Sequence, residues 1–334
     1  MYPLKFRPIF KQRIWGGQRL AEVFGKELPA GEKTGESWEL ADLPEDKSVI
    51  ANGELAGMTL NAAIKKFPRE ITGDKKFKLP FPLLIKFLDA EDILSVQVHP
   101  DAATSRRMGK GDPKTECWYI IDAAEGSFIY KGLKEGVTKE QFEKAIKEGT
   151  VEKLLAKAYV QKGECHYMPA GTVHTMGPGI LIAEIQTPSD TTYRVFDFNR
   201  LDEKGKPRPL HIAEALESIH FEAREDLPVT TVGRLVDSRY FVIDKGHQAK
   251  GCEQLLAGGK MKVLIILNGC GSFTTNDGQM HGLEARATMS GGGSFTAGDE
   301  SRESFKAGDC LLVPADYMGA MVFEKESEYL TVTI

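Results

Sequence analysis

The chain has 334 residues, of which 41% are hydrophobic and 27% charged, and a formal net charge of −5. That length supports one large or two moderate domains with a sizeable apolar core. Lys and Arg are dispersed, which argues against a nucleic-acid surface, and no run of about 18 apolar residues occurs, which argues against a membrane-spanning helix. The first six residues contain no signal-peptide core, and the five cysteines (Cys117, Cys165, Cys252, Cys270 and Cys310) are scattered without a Cys-x-x-Cys pair. Free thiols in the cytoplasm are the expectation.

In chain order, Leu60–Phe67 carries apolar residues at helix spacing. Short strands are expected at Leu83–Leu88 and Ile93–Val98, with Asp101 to Thr115 as an inserted loop. Further strands are expected at Cys117–Ala123 and Ser127–Tyr130. Thr138–Ile146 opens with Thr138 and Gln141 at capping-box spacing, so a helix is predicted there, and Thr150–Ala158 reads as a second short amphipathic helix. Strands are expected again at Cys165–Met168, Ile180–Gln186 and Thr192–Phe196. Gly, Pro and Asp punctuate them, as in a sandwich or barrel, and the helices read as packing elements between strands. Asn268–Phe273 fits a turn between strands, and Ser290–Ser294 fits a hairpin better than a phosphate cradle.

Side chains alternate along a strand, so Ser95, Gln97 and His99 share one face and Leu94, Val96 and Val98 the other. An amide oxygen and an imidazole thus stand at adjacent heights. With Glu116 and His174 on other strands they form a first shell for a divalent metal. These donors do not exclude iron, manganese, cobalt or nickel. Arg194 lies on Thr192–Phe196 and can support developing negative charge, or else pair with an acid such as Asp190. Glu184 lies on Ile180–Gln186. Trp15, Trp38 and Trp118 read as core or pocket wall. His166 can line the pocket, whereas His211, His220, His247 and His281 read as structural or exposed.

Gly163 to His174 runs Gly, five residues, Pro, one residue, Gly, two residues, His. It resembles the second cupin motif, and Gln97-Val98-His99 with Glu116 resembles an altered first motif. Gly163-Glu164-Cys165 through Pro169-Ala170 also matches Gly308-Asp309-Cys310 through Pro314-Ala315 in register, which sets Gly319 opposite His174. The fold class expected is mainly β: two cupin-type jelly-roll barrels with a few short inserted helices. Residues 1–228 would form the metal-bearing domain and 229–334 a cupin-like domain without the site.

More specific blocks are Ile14-Trp15-Gly16-Gly17, Gly35-Glu36-Ser37-Trp38-Glu39-Leu40, Pro82-Leu83-Leu84-Ile85-Lys86, Ser95 to Pro100, Lys114-Thr115-Glu116, Glu184-Ile185-Gln186 and Ser189 to Arg200. In this order they resemble the type I mannose-6-phosphate isomerases in their short bacterial form, over roughly the first 220 residues. The resemblance implies one zinc ion per chain on Gln97, His99, Glu116 and His174, and a sugar-phosphate substrate. It also implies a catalytic role for Arg194 and places Lys114 and Ser95 beside the substrate with Arg194, Lys114 being a further catalytic candidate; Glu184, by its strand face, reads as an anchor behind the site or as a catalytic base. The chain would act as a monomer or homodimer. The proton-transfer base stays open among Glu184, Lys114 and a metal-bound water. Two other readings compete, a metal-dependent cupin oxygenase and a catalytically silent sugar-phosphate-binding cupin. The fixed cations disfavour the first, and the retained ligands and Arg194 disfavour the second.

Overall fold

The computed structural model describes residues 1–202, 205–222, 228–275 and 303–334. Four antiparallel sheets stack in layers. In the first sandwich, a six-stranded sheet contains Ile9–Gly17, Thr34–Leu40, Leu84–Ala90, Ile180–Gln186, Glu116–Ala123 and Cys165–Met168 in spatial order. It faces a five-stranded sheet of Tyr193–Phe196, Val96–Val98, His174–Met176, Phe128–Leu133 and Leu155–Tyr159. Leu88, Trp118, Ile120, Ile129, Met176 and Ile182 fill part of the space between them.

The second sandwich joins a six-stranded and a four-stranded sheet. Its interior is packed with Leu264, Ile266, Phe273, Phe305, Phe323 and Tyr329. Strand Leu4–Lys5, from the far N-terminus, pairs with Cys310–Val313 and so belongs to this second half. The two six-stranded sheets lie back to back across the largest apolar cluster, which includes Ile85, Phe87 and Ile185 on one side and Ile243, Val263 and Val332 on the other. On the outside of the five-stranded sheet, helices Lys139–Glu148 and Ile212–Ser218 cover Val96, Val98 and Val195. The architecture is mainly β, with few helices.

Several sequence expectations hold locally. The Thr138–Gln141 capping box is formed in both directions, and Gly149 closes that helix with φ 68°. Thr59 caps Leu60–Lys66. Gly163 (φ 95°) and Gly308 (φ 85°) hold the same left-handed turn at equivalent places. Their N–H groups donate to the carbonyls of Ile120 and Ile266 respectively, at 2.8 Å each.

Two expectations are corrected. Thr150–Ala158 is not a helix. A single 3₁₀ turn, Val151–Leu154, leads into strand Leu155–Tyr159, which pairs with Phe128–Leu133. The sheet edge supplies cross-strand hydrogen bonds that a piece this short cannot match as an isolated helix. The expected loop after Asp101 contains helix Ala102–Met108, capped by the Asp101 side chain accepting from Thr104 N and ended by Gly109 at φ 66°. The hairpin expected at Ser290–Ser294 and the reading of His281 lie outside the described residues.

Candidate metal centre and its cavity

Strand register builds the centre. Arg194 stands opposite Gln97, and Gln97 opposite His174, so the three occupy one row across the five-stranded sheet. Directly opposed residues point to the same face, so this row projects toward the facing sheet. There, Lys86, Glu184 and Trp118 form a second row, and Gln186 stands opposite Glu116.

His99, Glu116 and His174 bring their donor atoms within 4.8 Å of one another, and all three are buried. His99 Nε2 is 3.3 Å from Glu116 Oε2, and His174 Nε2 is 3.2 Å from Glu116 Oε1. The opposite nitrogens are engaged by backbone carbonyls: His99 Nδ1 lies 2.8 Å from Thr191 O, and His174 Nδ1 lies 2.9 Å from Thr172 O. Each Nδ1 therefore carries the proton that it donates, and each Nε2 presents a lone pair to the centre. His99 Nε2 and both Glu116 oxygens have no hydrogen-bond partner among the described residues. Buried polar atoms are rarely left so, and imidazole and carboxylate lone pairs that converge on one another fit a cation, with the Lys114 ammonium to one side of Glu116 Oε2.

Gln97 adds its amide, with Nε2 placed 3.3 Å from His174 Nε2. Amide nitrogen and oxygen are interchangeable by a flip, and the flipped amide turns Oε1 inward to the same place. The four expected ligands thus meet. Trp118 sits edge-on to the His174 ring at 5.3 Å and buttresses it.

Burial lowers the His99 imidazole to about 3, with Lys114 adding to the effect, so it is neutral near pH 7. Burial alone would push the Glu116 carboxyl up, but Lys114 and the two imidazoles hold it well below the usual carboxylate range. A neutral imidazole and an ionised carboxylate are the forms that ligate metal.

Beside the centre opens a cavity of about 470 Å³, lined in part by Ser95, Gln97, Lys114, Glu184, Asp190 and Arg194. Such a volume suits a small polar metabolite. Five cationic side chains (Arg13, Lys86, Lys114, Arg194, Arg208) face three carboxylates (Glu36, Glu184, Asp190) in its lining. The excess favours an anionic occupant.

Lys114 Nζ is 2.8 Å from Glu116 Oε2 and 3.8 Å from Glu184 Oε1. Burial would lower the Lys114 ammonium, yet these two carboxylates raise it, so it keeps its proton. Glu184 accepts from Trp118 Nε1 at 2.9 Å and pairs with Lys86 Nζ at 3.2 Å. Arg194 does not pair with Asp190. Its Nη1 donates to Pro209 O at 2.8 Å, while its buried Nε has no hydrogen-bond partner among the described residues. Asp190 instead lies 4.0 Å from Lys86. His166 is buried but turns to Glu164 at 3.0 Å and is not in the cavity lining.

Sequence reasoning missed Arg13, Glu36, Lys86 and Arg208 as lining residues. A signal existed for Lys86, a lone charge inside the apolar run Leu84-Ile85-Lys86-Phe87-Leu88, where every residue is buried. Charged residues are seldom buried unless paired. Arg13 and Glu36 pair at 2.7 Å, and Trp38 Nε1 donates to Glu36 at 2.6 Å. Arg208 follows an irregular segment and carried no comparable pattern.

Comparisons with known proteins agree with this geometry. Residues 3–128 match the family model described as phosphomannose isomerase type I, catalytic domain. Mannose-6-phosphate isomerase ManA of Bacillus subtilis (strain 168) is 40% identical over 258 residues, covering 73% of this chain and 78% of the relative. The mannose-6-phosphate isomerase of Streptococcus mutans serotype c is 38% identical over 298 residues, covering 86% and 90%. The crystal structure of the mannose 6-phosphate isomerase from Bacillus subtilis superposes with a TM-score of 0.84 at 29% identity, covering 100% of both chains. With the ligand cluster and the cation-rich cavity already in place, these similarities show that the chain belongs to the type I mannose-6-phosphate isomerases.

Proposed function

We propose that this protein interconverts mannose 6-phosphate and fructose 6-phosphate with a zinc ion held by Gln97, His99, Glu116 and His174. The observation that carries the reading is the convergence of the buried His99, Glu116 and His174 donor atoms beside a cavity with an excess of cations. Two imidazoles, a carboxylate and an amide oxygen suit zinc. When bound, the ion would polarise substrate oxygen or a water molecule.

The residues divide the remaining work. Isomerisation moves a proton between C1 and C2 of the open-chain sugar through an enediol, with negative charge growing on oxygen. Lys114 keeps its proton beside Glu116, so it serves as a positive donor to that oxygen and not as the base. Glu184 is the carboxylate that carries the proton. Trp118 and Lys86 orient it, and it is buried within the cavity wall. Arg194, one strand from Gln97, holds negative charge on the substrate, and Ser95 adds a hydroxyl at the same wall. Residues 1–228 form the reacting unit. Residues 229–334, joined by strand Leu4–Lys5, support it as a second cupin-like unit. Among the described residues no helix is long and apolar enough to cross a membrane, and we place the enzyme in the cytoplasm.

A coupled assay of mannose 6-phosphate turnover tests this directly, run before and after a chelator and after zinc is returned. Chelator-sensitive turnover restored by zinc is the expected result. No turnover by protein carrying one metal per chain would overturn it. For the base, Glu184→Gln is expected to lower kcat by about 10²- to 10⁴-fold with metal content unchanged.

A further inference from the structure

Asp197 is a buried carboxylate, 5% exposed, that makes no contact with the metal ligands in the observed set of bonds. It gathers two arginines. Arg208 approaches it side-on, donating from Nε to Oδ2 at 2.7 Å and from Nη2 to Oδ1. Arg200 donates from Nη2 to Oδ1 at 2.7 Å and from Nε to the Asp197 carbonyl at 3.3 Å. Its Nη1 also reaches the carbonyl of Ile93. The turn that brings Arg200 back onto Asp197 passes through Phe198 (φ 56°) and Asn199 (φ 55°). A bulky Phe in the left-handed region is uncommon and persists only where the surroundings fix it. The Phe198 ring is held between the Phe196 ring, at 5.1 Å, and the Arg200 guanidinium, at 5.6 Å.

Two carboxylates do not neutralise the three guanidinium groups of this corner: Asp92 pairs with Arg200 at 3.3 Å, and Asp197 is shared by Arg200 and Arg208. Arg208 and Arg194 both line the cavity, and Arg194 has no carboxylate partner among the described ion pairs. Its buried Nε has no hydrogen-bond partner among the described residues. With burial, the nearby Arg208, Arg13 and Arg200 charges oppose its own, and Asp197 only partly offsets them. A further anion beside Arg194 is therefore what the corner lacks, and a doubly charged phosphate monoester supplies the acceptor oxygens that guanidinium groups recognise.

We propose that Arg208 binds the phosphate of the substrate together with Arg194, and that Asp197 is a positioning residue acting through Arg208. This deepens the isomerase reading and rests on it for the identity of the phosphate compound. The fixed fork of Arg208 is already spent on Asp197 through Nε and Nη2, which leaves Nη1 as the donor free to turn to the cavity. Loss of Asp197 would leave that guanidinium unanchored without removing its charge.

The test is kinetic and calorimetric on the zinc-loaded enzyme. Arg208→Gln is expected to raise KM for mannose 6-phosphate by about 10- to 100-fold, the range of a charge-assisted hydrogen bond, with kcat changed by less than about threefold. The inhibition constant and calorimetric Kd of inorganic phosphate should rise by the same factor, and Arg208→Lys should recover part of the loss. Asp197→Asn should shift KM and phosphate affinity in the same direction by a smaller factor. Added to Arg208→Gln, it should do nothing more, because it acts through that side chain. KM and phosphate affinity within twofold of wild type in Arg208→Gln would overturn the proposal. So would a full additional effect of Asp197→Asn in the Arg208→Gln background. Turnover with an unchanged Arg208→Gln would reject this phosphate site and leave the isomerase standing. Phosphate binding that Arg208→Gln weakens, in a protein without turnover, would reject the isomerase and leave the anion site.

Discussion

The two sandwiches share a frame and differ in what fills it. Glu116 pairs with Met168 in the first, and Lys262 pairs with Val313 in the second. Cys165–Met168 and Cys310–Val313 each follow the same left-handed glycine turn. By that register Lys262 stands where Glu116 does, and Gly319 falls opposite His174. The first interior holds ionised groups, two neutral-capable imidazoles and a cavity. The second holds a contiguous aromatic stack, with Phe273–Phe305 centroids at 5.2 Å, Phe305–Phe323 at 5.5 Å and Phe323–Tyr329 at 5.7 Å. One scaffold thus accommodates either a dry packed core or a polar chamber. The polar version is supported by pairing of buried charge, as with Lys86 between Glu184 and Glu36.

The largest effect should come from emptying the chamber of one ligand. His174→Ala is expected to lower bound metal well below one per chain and turnover by about 10³-fold or more, because metal-centred charge stabilisation amounts to several kcal/mol. Metal analysis and kcat measured on the same sample check this. Gly319, at the corresponding place, offers no side chain to lose: a Cβ there would meet Thr274 O at 1.9 Å. Full metal content in His174→Ala would break the contrast between the two halves.

The packed sandwich should respond in the opposite currency. Phe273 is 4% exposed and central to the aromatic stack. Phe273→Ala is expected to cost about 3–5 kcal/mol of stability, the usual cavity penalty, while kcat and KM of the remaining folded protein stay near wild type. Denaturant unfolding beside steady-state kinetics separates the two. A large fall in kcat at temperatures where the variant is folded would show that the second sandwich tunes the site.

A smaller effect distinguishes charged from apolar packing by pH. Burial tends to raise the Glu36 carboxyl, but Lys86, Arg13 and Trp38 overcome it and hold it at about 2. A carboxyl depressed in the folded state contributes stability above its unfolded value, near 4.5, and loses it as pH falls through the folded one. Over that window the contribution is about 3 kcal/mol. Glu36→Gln should therefore be less stable than wild type at pH 7. The gap should narrow between pH 4.5 and 2, as wild type protonates to an equally neutral group. Acid unfolding of the two proteins in parallel measures it, and a gap constant with pH would remove the charge argument.

What the sequence disclosed follows the same division. Strand alternation placed Ser95, Gln97 and His99 on one face, and the glycine–proline pattern before His174 marked the turn that carries it. The cap signal at Thr138 and the apolar spacing of Leu60–Phe67 were local, and so were readable. Leu155–Tyr159 was misread as helix because its pairing partner, Phe128–Leu133, lies outside the segment. For the same reason the join of Leu4–Lys5 to Cys310–Val313 could not be foreseen, since no local pattern records a contact spanning nearly the whole chain. The side chains that meet as the candidate centre were legible as chemistry. The cavity's opposite wall was not: Arg13, Lys86 and Arg208 meet only after two sheets face each other.

The smallest effect expected is the sharpest control on the register. Lys262 occupies the position of Glu116, but its stem is only partly buried and its Nζ donates to Ala257 O at 3.1 Å near the surface. If the second sandwich has no use for a polar group there, Lys262→Met should change stability by no more than about 0.5 kcal/mol, as for most exposed substitutions, and leave metal content and turnover alone. Glu116→Gln at the matching position removes the carboxylate on which His99 and His174 converge, and is expected to lower metal content with it. Thermal unfolding and metal analysis of both variants compare one backbone position in two surroundings. A loss of metal in Lys262→Met would mean that the second half reaches the chamber, and that the two interiors are not independent.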